Sequence, residues 1–209
     1  MQNNESKYVA IVALIVAIIG ISVGFAAYSS ALQIKAGADV NYGGGGGSLF
    51  TLGLSTATNS LTNGSVTPTV VGATADAATL NTNIIQGISV HFTATGQKAT
   101  YTFYGVNTSS FIGYLNSVVM GSKTCAAYSG NGNPASVGVA DACDDIIFTV
   151  TAGTADYTET NNNINSHQLN AGGYETIKVE IEYIDGGAVA DGDFTVDFGT
   201  TSLTYSTVD

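Results

Sequence analysis

Two cysteines, Cys125 and Cys143, are the residues of this sequence with the clearest chemistry. The stretch between them is rich in Gly, Asn, Ser and Ala, and two cysteines that flank one polar loop in an exported chain are typical of a disulfide. Closing a loop of this size would stabilise the fold by about 3 kcal/mol in the chain-entropy model. Two unpaired thiols are the alternative, and a metal site is disfavoured because two further ligands are missing nearby. The sequence therefore predicts a disulfide.

The histidines are the next candidates for chemistry, and there are only two, His91 and His167. No His-Glu-x-x-His motif accompanies them, as a zinc protease would require, and no Gly-x-Ser-x-Gly elbow occurs. His91 falls on the outward face of a predicted strand, which indicates a solvated side chain. A cysteine nucleophile would need a reduced thiol beside a histidine. The sequence thus predicts a protein that is not an enzyme, with no catalytic residue and no cofactor.

Acidic residues cluster at two places where they could offer oxygen ligands. Calcium takes six to eight oxygens, which loop carboxylates and backbone carbonyls can supply. Asp-Gly and Gly-Gly pairs are also ordinary turn chemistry. One cluster borders the second cysteine and the other lines the turn after the most regular predicted strand: Asp141, Asp144 and Asp145, and Asp185, Asp191 and Asp193. The second cluster is the candidate site for a structural calcium ion.

Sequons for N-glycosylation mark two further candidate sites. Asn63 begins Asn-Gly-Ser and Asn107 begins Asn-Thr-Ser. A third match, at Asn4, lies ahead of an apolar segment. Asn63 and Asn107 are therefore the candidate acceptors if the organism glycosylates its surface proteins.

The charge of the chain excludes several partners. Its 209 residues include 5 basic residues, all lysines, against 16 Asp and Glu, for a net charge of −11. The lysines are scattered, whereas binding to nucleic acid, or docking of the folded domain on an anionic membrane, requires clustered basic residues. Thr, Ser, Asn and Gly supply the polarity instead. This composition is common in secreted β-proteins and predicts an extracellular or cell-surface domain that does not bind nucleic acid.

An apolar segment lies near the start of the chain. No side chain is charged from Tyr8 to Ala27, and a helix of this length would span roughly 30 Å, the thickness of a bilayer's hydrocarbon core. Residues 1–27 are therefore predicted to form a hydrophobic helix that contacts the membrane through residues 8–27, at least during export. Gly24 and Ala26 have the small side chains of a signal-peptidase site, which predicts cleavage between Ala26 and Ala27. An uncleaved anchor and a pilin-type helix in a filament core are the alternatives.

An alternating strand and a glycine run come next. Residues 28–42 have the pattern of a strand, with five apolar side chains on one face: Leu32, Ile34, Ala36, Ala38 and Val40. Residues 43–47 are all glycine, which costs conformational entropy to order, so they are predicted to form a hinge. The strand could pair within its own domain or with a neighbouring copy, and both interpretations stay open.

Residues 48–209 are predicted to form an all-β, antiparallel sandwich. Alternation is clearest between residues 176 and 183, where Ile177, Val179, Ile181 and Tyr183 share one face. About eight to ten such segments, with no amphipathic helix, favour a sandwich, and alternation rather than continuous apolar runs favours antiparallel pairing. Residues 72–83 have a weaker pattern that fits one helical turn or a loop.

Three stretches resemble one known family. They are the junction and strand at residues 24–38, the turn and Thr/aromatic strand at 96–107, and the segment 171–183. Their order is similar to that of the TasA/camelysin family of surface and biofilm-fibre proteins. The resemblance implies a jelly-roll-like sandwich that polymerises by lending a strand to a neighbour.

Two classes of function fit these observations. The leading hypothesis is a structural subunit of an extracellular filament or surface matrix, which binds copies of itself by donating strand 32–40, because a sandwich that lacks a strand exposes an unpaired edge. The alternative is a monomeric adhesion or glycan-binding domain on a membrane anchor, with tyrosines as stacking platforms. A pilin-type subunit with residues 8–27 in the filament core is the third hypothesis.

Overall fold

The computed structural model describes residues 51–159, 164, 167–186 and 190–206. The predictions for the N-terminal part of the chain lie outside these ranges and stay predictions. They are the hydrophobic helix 1–27, the cleavage point at Ala26 and Ala27, the strand 28–42 with its apolar face, and the glycine hinge 43–47.

Strands dominate the described residues, which form sixteen strands and one short helix, α1 (Val139–Asp144). Every pair of adjacent strands in these ranges is antiparallel, which confirms the predicted all-β class. The strands are β1 (Leu52–Ser55), β2 (Gly64–Val66), β3 (Thr69–Val71), β4 (Thr74–Ala75), β5 (Ala78–Asn81), β6 (Ile84–Gln86), β7 (Ile88–Phe92), β8 (Lys98–Asn107), β9 (Gly113–Val119), β10 (Lys123–Ala127), β11 (Ile146–Ala152), β12 (Ala155–Thr158), β13 (His167–Leu169), β14 (Tyr174–Tyr183), β15 (Phe194–Phe198) and β16 (Thr201–Ser206).

The first sheet has the order β12-β11-β14-β8, and both β1 and β3 pair with the far side of β8. Its central strand β14 alternates between buried and more exposed residues from Ile177 to Tyr183, as predicted. On the buried face Val179 is the register partner of Tyr101 in β8 and of Val150 in β11. β-Branched and aromatic side chains suit such a pleated, half-buried surface.

The remaining strands form two further hydrogen-bonded sheets, with the orders β10-β15-β7-β4 and β13-β9-β16-β6-β5-β2. Because the neighbouring strands β10, β15 and β7 of one follow or precede the neighbouring strands β9, β16 and β6 of the other along the chain, we call the two sheets the halves of the second sheet. The chain passes between the halves at β6–β7, β9–β10 and β15–β16, and each passage contains a glycine: Gly87, Gly121 and Gly199. Gly87 has a φ of 76°, which favours glycine. A Cβ at Gly121 would clash with the carbonyl oxygen of Gly199. Glycine is therefore favoured at Gly87 by its backbone conformation and at Gly121 by the lack of space for a side chain.

Side chains from both sheets form one buried core. Phe92 and Phe194 of the second sheet pack edge-on or tilted against each other and against Tyr183 of the first, with ring centroids 5.1–5.8 Å apart. Such offset aromatic contacts stabilise a core beyond the area they bury. The arrangement fits the predicted β-sandwich, while the jelly-roll-like connectivity stays a prediction.

One local prediction was wrong. Residues 72–83 contain β4 and β5 rather than a helical turn or loop, because Ala78 and Leu80 alternate with the exposed Thr79 and so cover the core. Pro68 lies in the break between β2 and β3, as expected for a residue that cannot donate to a ladder. No helix in the described ranges is long and apolar enough to cross a membrane.

Candidate functional site

The disulfide joins Cys125 of β10 to Cys143 of α1, with the two Cα atoms 6.0 Å apart. The predicted pairing is therefore confirmed. The disulfide closes the loop of residues 126–142, which begins on the edge strand of one half of the second sheet. This loop forms one side of the candidate site.

Two aspartates fasten the same loop to the segment that precedes β15. Asp191 Oδ1 accepts hydrogen bonds from the backbone N–H groups of Ser136 and Val137, at 2.7 and 2.9 Å. Asp193 Oδ2 accepts one from the N–H of Asn133 at 3.1 Å. The hydroxyl of Ser136, followed by the backbone donors, lowers the pKa of Asp191 because these bonds favour the ionised carboxylate.

These contacts bear on the calcium hypothesis. Asp191 and Asp193 use carboxylate oxygens to hold the loop, and Asp185 is exposed. No group of three or more His, Cys, Asp or Glu side chains in the described part of the chain is arranged to hold a metal ion. A structural calcium ion at Asp185, Asp191 and Asp193 therefore stays a prediction.

His91 lies beside the loop, on the outer face of β7. The core takes Val90 and Phe92, so the alternation of the strand directs His91 outward. Its ring stacks on Tyr128 of the loop, with ring centroids 3.7 Å apart and planes 10° from parallel. The outward orientation was predicted correctly, but the prediction of a solvated side chain was wrong, because only 18% of it remains exposed.

The Nε2 atom of His91 faces a carboxylate. It lies 3.7 Å from Asp193 Oδ2, which suits an ion pair when the imidazole is protonated but is too long for a hydrogen bond. Nε2 is also buried without a hydrogen-bond partner among the described residues. Asp193 therefore contacts both the loop backbone and His91.

A shallow cleft of about 220 Å³ opens beside the stacked rings of His91 and Tyr128. Thr74 of β4 and Thr195 of β15 are the register partners of His91 on either side. Hydroxyl groups and one carboxylate dominate the lining, which includes Thr74, Asp76, Ser89, His91, Tyr128 and Thr195. We call this site the His91 cleft.

Asp76 lines the cleft, and two hydrogen bonds hold its backbone in place. Its N–H donates to the carbonyl oxygen of Ser89 at 3.1 Å, and its carbonyl oxygen accepts from the Tyr101 hydroxyl at 2.8 Å. Burial raises the pKa of Tyr101 to about 12, since the ionised phenolate would be poorly solvated. The neutral phenol is therefore the donor that holds this wall of the cleft.

A second histidine cluster lies between the sheets. His167 of β13 and Tyr205 of β16 are both register partners of Leu115, the residue between them in β9. Both contact Glu175 of β14 in the first sheet: His167 Nε2 is paired with Glu175 Oε2, and the Tyr205 hydroxyl donates to Oε1 at 2.7 Å. Only 17% of the His167 side chain and 9% of the Glu175 side chain are exposed. We call this group the inner cluster.

A glycine makes room for the inner cluster. Gly105 is the register partner of Glu175, and a Cβ there would lie 2.5 Å from the hydroxyl oxygen of Tyr205. Burial, and then the charge of Glu175, raise the pKa of Tyr205 well above its usual range. The same two causes, in the same order, raise the pKa of Tyr157. The cluster therefore holds its tyrosines neutral around one carboxylate.

Sequence reasoning missed the inner cluster although a signal was present. Glu175 has the same parity as Ile177 and Val179, which were predicted to face inward. A carboxylate on the core face of a strand requires buried partners. Tyr205 similarly shares the parity of buried Leu203.

The two sequons lie in different surroundings. Asn63 is exposed in the turn before β2 and stays a candidate acceptor. Asn107 is 1% exposed, and its amide nitrogen donates to the carbonyl oxygens of Phe111 and Leu169. Its Oδ1 accepts from Ser109. The prediction at Asn107 is therefore wrong for the folded domain, because the amide is enclosed and bonded.

The chain matches no protein-family model, and no curated protein or solved structure is significantly similar to it. The TasA/camelysin resemblance accordingly stays a prediction. The two clusters differ in what they can do: the inner cluster is enclosed and its polar atoms are paired, whereas the His91 cleft is open and can receive a ligand.

Proposed function

We propose that the protein is a structural subunit of an extracellular filament or surface matrix, in which strand 32–40 of one copy adds to the sandwich of the next. The observation that carries this proposal is the edge strand β3. All three of its residues are exposed, including Val70 at 41% and Val71 at 55%. Among the described residues β3 pairs with β8 alone. An exposed, uncharged edge rich in valine offers its backbone and side chains to another strand.

The opposite edge of the first sheet differs. There β12 exposes Asp156, whose carboxylate accepts a hydrogen bond of 2.7 Å from the hydroxyl of Thr151. Charged residues on an edge strand disfavour the addition of another strand. The β3 edge is therefore the acceptor we propose, and the alternating face from Leu32 to Val40 is the donor.

The disulfide supports the proposed location. The bond between Cys125 and Cys143 lies in a domain of mostly uncharged polar surface. Disulfides form and persist mainly in oxidising compartments such as the cell surface.

Blocking the acceptor edge tests the proposal. In the full chain, the double variant Val70→Lys/Val71→Lys places two charges on β3, and Val137→Lys places one on an exposed valine of the disulfide loop as a matched control. We expect the edge variant to stay unassembled in electron micrographs and sedimentation, while the control forms filaments. Filaments from the edge variant would overturn the choice of edge.

A complementation experiment separates exchange between copies from pairing within one copy. A chain without residues 28–42 keeps the acceptor but lacks the donor, and Val70→Lys/Val71→Lys keeps the donor but lacks the acceptor. We expect neither to assemble alone and an equimolar mixture to form heterodimers. Filaments from the deleted chain, or no complex in the mixture, would contradict strand exchange.

A further inference from the structure

Four polar side chains of the His91 cleft take no part in the hydrogen bonds of the described fold. Within the described ranges no hydrogen bond engages the side chains of Thr74, Asp76, Ser89 or Thr195, although all four line the cleft. Unused hydroxyls beside a carboxylate form a set of donors and acceptors that converge on a ligand-sized space. The walls of the cleft therefore offer hydroxyl and carboxylate groups to which a ligand can form hydrogen bonds.

Charge excludes several ligand classes. Asp76 lines the cleft, Asp193 lies behind His91, and Asp197 projects from the same sheet face as the register partner of Ser89. Among the residues that the structure describes, no lysine lines the cleft, and the chain carries a net charge of −11. Phosphates, sulfates and uronic acids would therefore be repelled.

Organic cations that bind over an open aromatic face are disfavoured by the arrangement of the rings. A cation binds best over an open aromatic face. One face of Tyr128 is covered by His91, and a Cβ at Gly132 would lie 3.1 Å from Tyr128 Cδ1, so the glycine-rich loop packs against the same ring. Apolar ligands are disfavoured because hydroxyls dominate the walls.

We propose that the His91 cleft binds one unit of a neutral carbohydrate. Vicinal hydroxyls of a sugar ring donate to the Asp76 carboxylate and exchange hydrogen bonds with Thr74, Ser89 and Thr195. The ring carbons pack against the edges of the stacked His91 and Tyr128. A volume of about 220 Å³ and an open rim fit a single sugar unit whose neighbours extend into solvent.

The binding experiment uses the full chain in a detergent without a sugar headgroup. Calorimetric titrations with mannotriose, cellotriose and chitotriose are compared with spermidine and with a sulfated heparin trisaccharide. We expect at least one neutral trisaccharide to bind saturably with a dissociation constant below about 5 mM, corresponding to a weak single-unit site. Tighter binding of spermidine or the sulfated sugar, or no binding of any neutral sugar, would overturn the proposal.

Variants locate the site. Asp76→Asn keeps the backbone hydrogen bonds of this residue but removes the charge, and Ser89→Ala removes one hydroxyl. We expect each to weaken binding at least fivefold with an unchanged thermal midpoint, while Asp156→Asn, an exposed aspartate on the other sheet, binds as the wild type does. Equal affinity in all three variants would place the sugar elsewhere and refute the assignment.

We expect binding in the cleft not to depend on assembly. The edge variant Val70→Lys/Val71→Lys alters a strand of the first sheet, whereas the cleft lies on the second. We expect this variant to bind the same trisaccharide with unchanged affinity. A loss of binding there would show that the sugar occupies a surface created between copies, and would contradict a site within one chain.

Discussion

The two histidines of this protein have similar neighbours in different surroundings. His91 stacks on Tyr128 and faces Asp193, on the outer side of the second sheet. His167 pairs with Glu175, which also accepts from Tyr205, between the two sheets. The inner polar atoms are paired with each other, whereas the outer group leaves Nε2 unpartnered and opens onto a cleft. Residues of the same types therefore join the two sheets of the sandwich in one place and line an open cleft in the other.

Pairing, rather than exposure, explains why the two clusters should respond differently to mutation. The side chains of His91 and His167 are 18% and 17% exposed, so their burial is nearly the same. Removing one member of a hydrogen-bonded, largely buried charge pair leaves the other without compensation in a medium of low dielectric. The contact between His91 and Asp193 is 3.7 Å long and lies beside an open cleft, so less interaction is lost when it is removed. A change in the inner cluster should therefore have a larger effect than its counterpart beside His91.

The largest difference is expected for the carboxylates. Glu175→Ala should reduce the free energy of unfolding by about 3–5 kcal/mol, because His167 and Tyr205 lose a buried partner. Asp193→Asn keeps the shape of the side chain, and the 3.7 Å contact of Asp193 Oδ2 with His91 Nε2 is too long for a hydrogen bond, so this change should cost less than about 1 kcal/mol. Urea unfolding of the full chain, followed by near-UV circular dichroism, measures both. Equal losses would mean that the inner cluster is open to water.

Removal of the disulfide should affect the outer cluster selectively. The double variant Cys125→Ser/Cys143→Ser should lose about 3 kcal/mol of stability, since the unfolded loop is no longer closed. The disulfide closes the loop that carries Tyr128, so the ring stacked on His91 should become less ordered. In NMR spectra the ring protons of His91 should shift while those of His167 do not. Shifts of equal size at both histidines would contradict a local role for the loop.

Much of the fold follows from alternation in the sequence. Four residues of β14 were predicted to share the core face, and all four are buried: Ile177, Val179, Ile181 and Tyr183. The disulfide followed from the isolation of two cysteines around one polar loop. These predictions depend on local pattern and on the chemistry of single residue types, which a sequence displays directly.

The two clusters depend on pairings that the local pattern does not contain. Whether His91 meets solvent or an aromatic ring is decided by a loop that returns from β10 to cover it. Glu175 reaches Tyr205 only because Gly105 leaves space between them. Asn107 matched a sequon, yet its amide closes a turn through contacts as distant as Leu169. Long-range register and packing, rather than propensity, determine all three.

Removal of one tyrosine hydroxyl from each cluster should give a smaller difference in stability than removal of the carboxylates. Tyr205→Phe should cost about 2 kcal/mol, because the Oε1 atom of Glu175 loses its hydrogen-bond donor. Tyr128→Phe keeps the ring that stacks on His91 and should cost less than about 0.5 kcal/mol, as surface substitutions usually do. Thermal unfolding of both variants in the same buffer measures the two losses of stability. A larger loss for Tyr128→Phe would reverse the assignment of the stabilising cluster.

The buried tyrosines should make the stability of the fold fall at alkaline pH, whereas they should not affect it near neutral pH. The pKa of Tyr205 is raised well above its usual range and that of Tyr101 to about 12, chiefly by burial. In the unfolded chain tyrosines ionise near pH 10. Their contribution to stability is therefore complete below about pH 10, and it declines as the pH rises further, because the unfolded state releases protons that the folded state retains.

Thermal midpoints of the wild type should accordingly fall between pH 10 and pH 12, and the fall should be smaller in Tyr205→Phe and in Tyr101→Phe than in the wild type. Tyr128→Phe serves as the matched control from the outer cluster. A fall of the same size in Tyr205→Phe and in the wild type would mean that this phenol ionises freely in the folded protein. The inner cluster would then be as accessible as the His91 cleft, and the contrast between the two histidines would no longer hold.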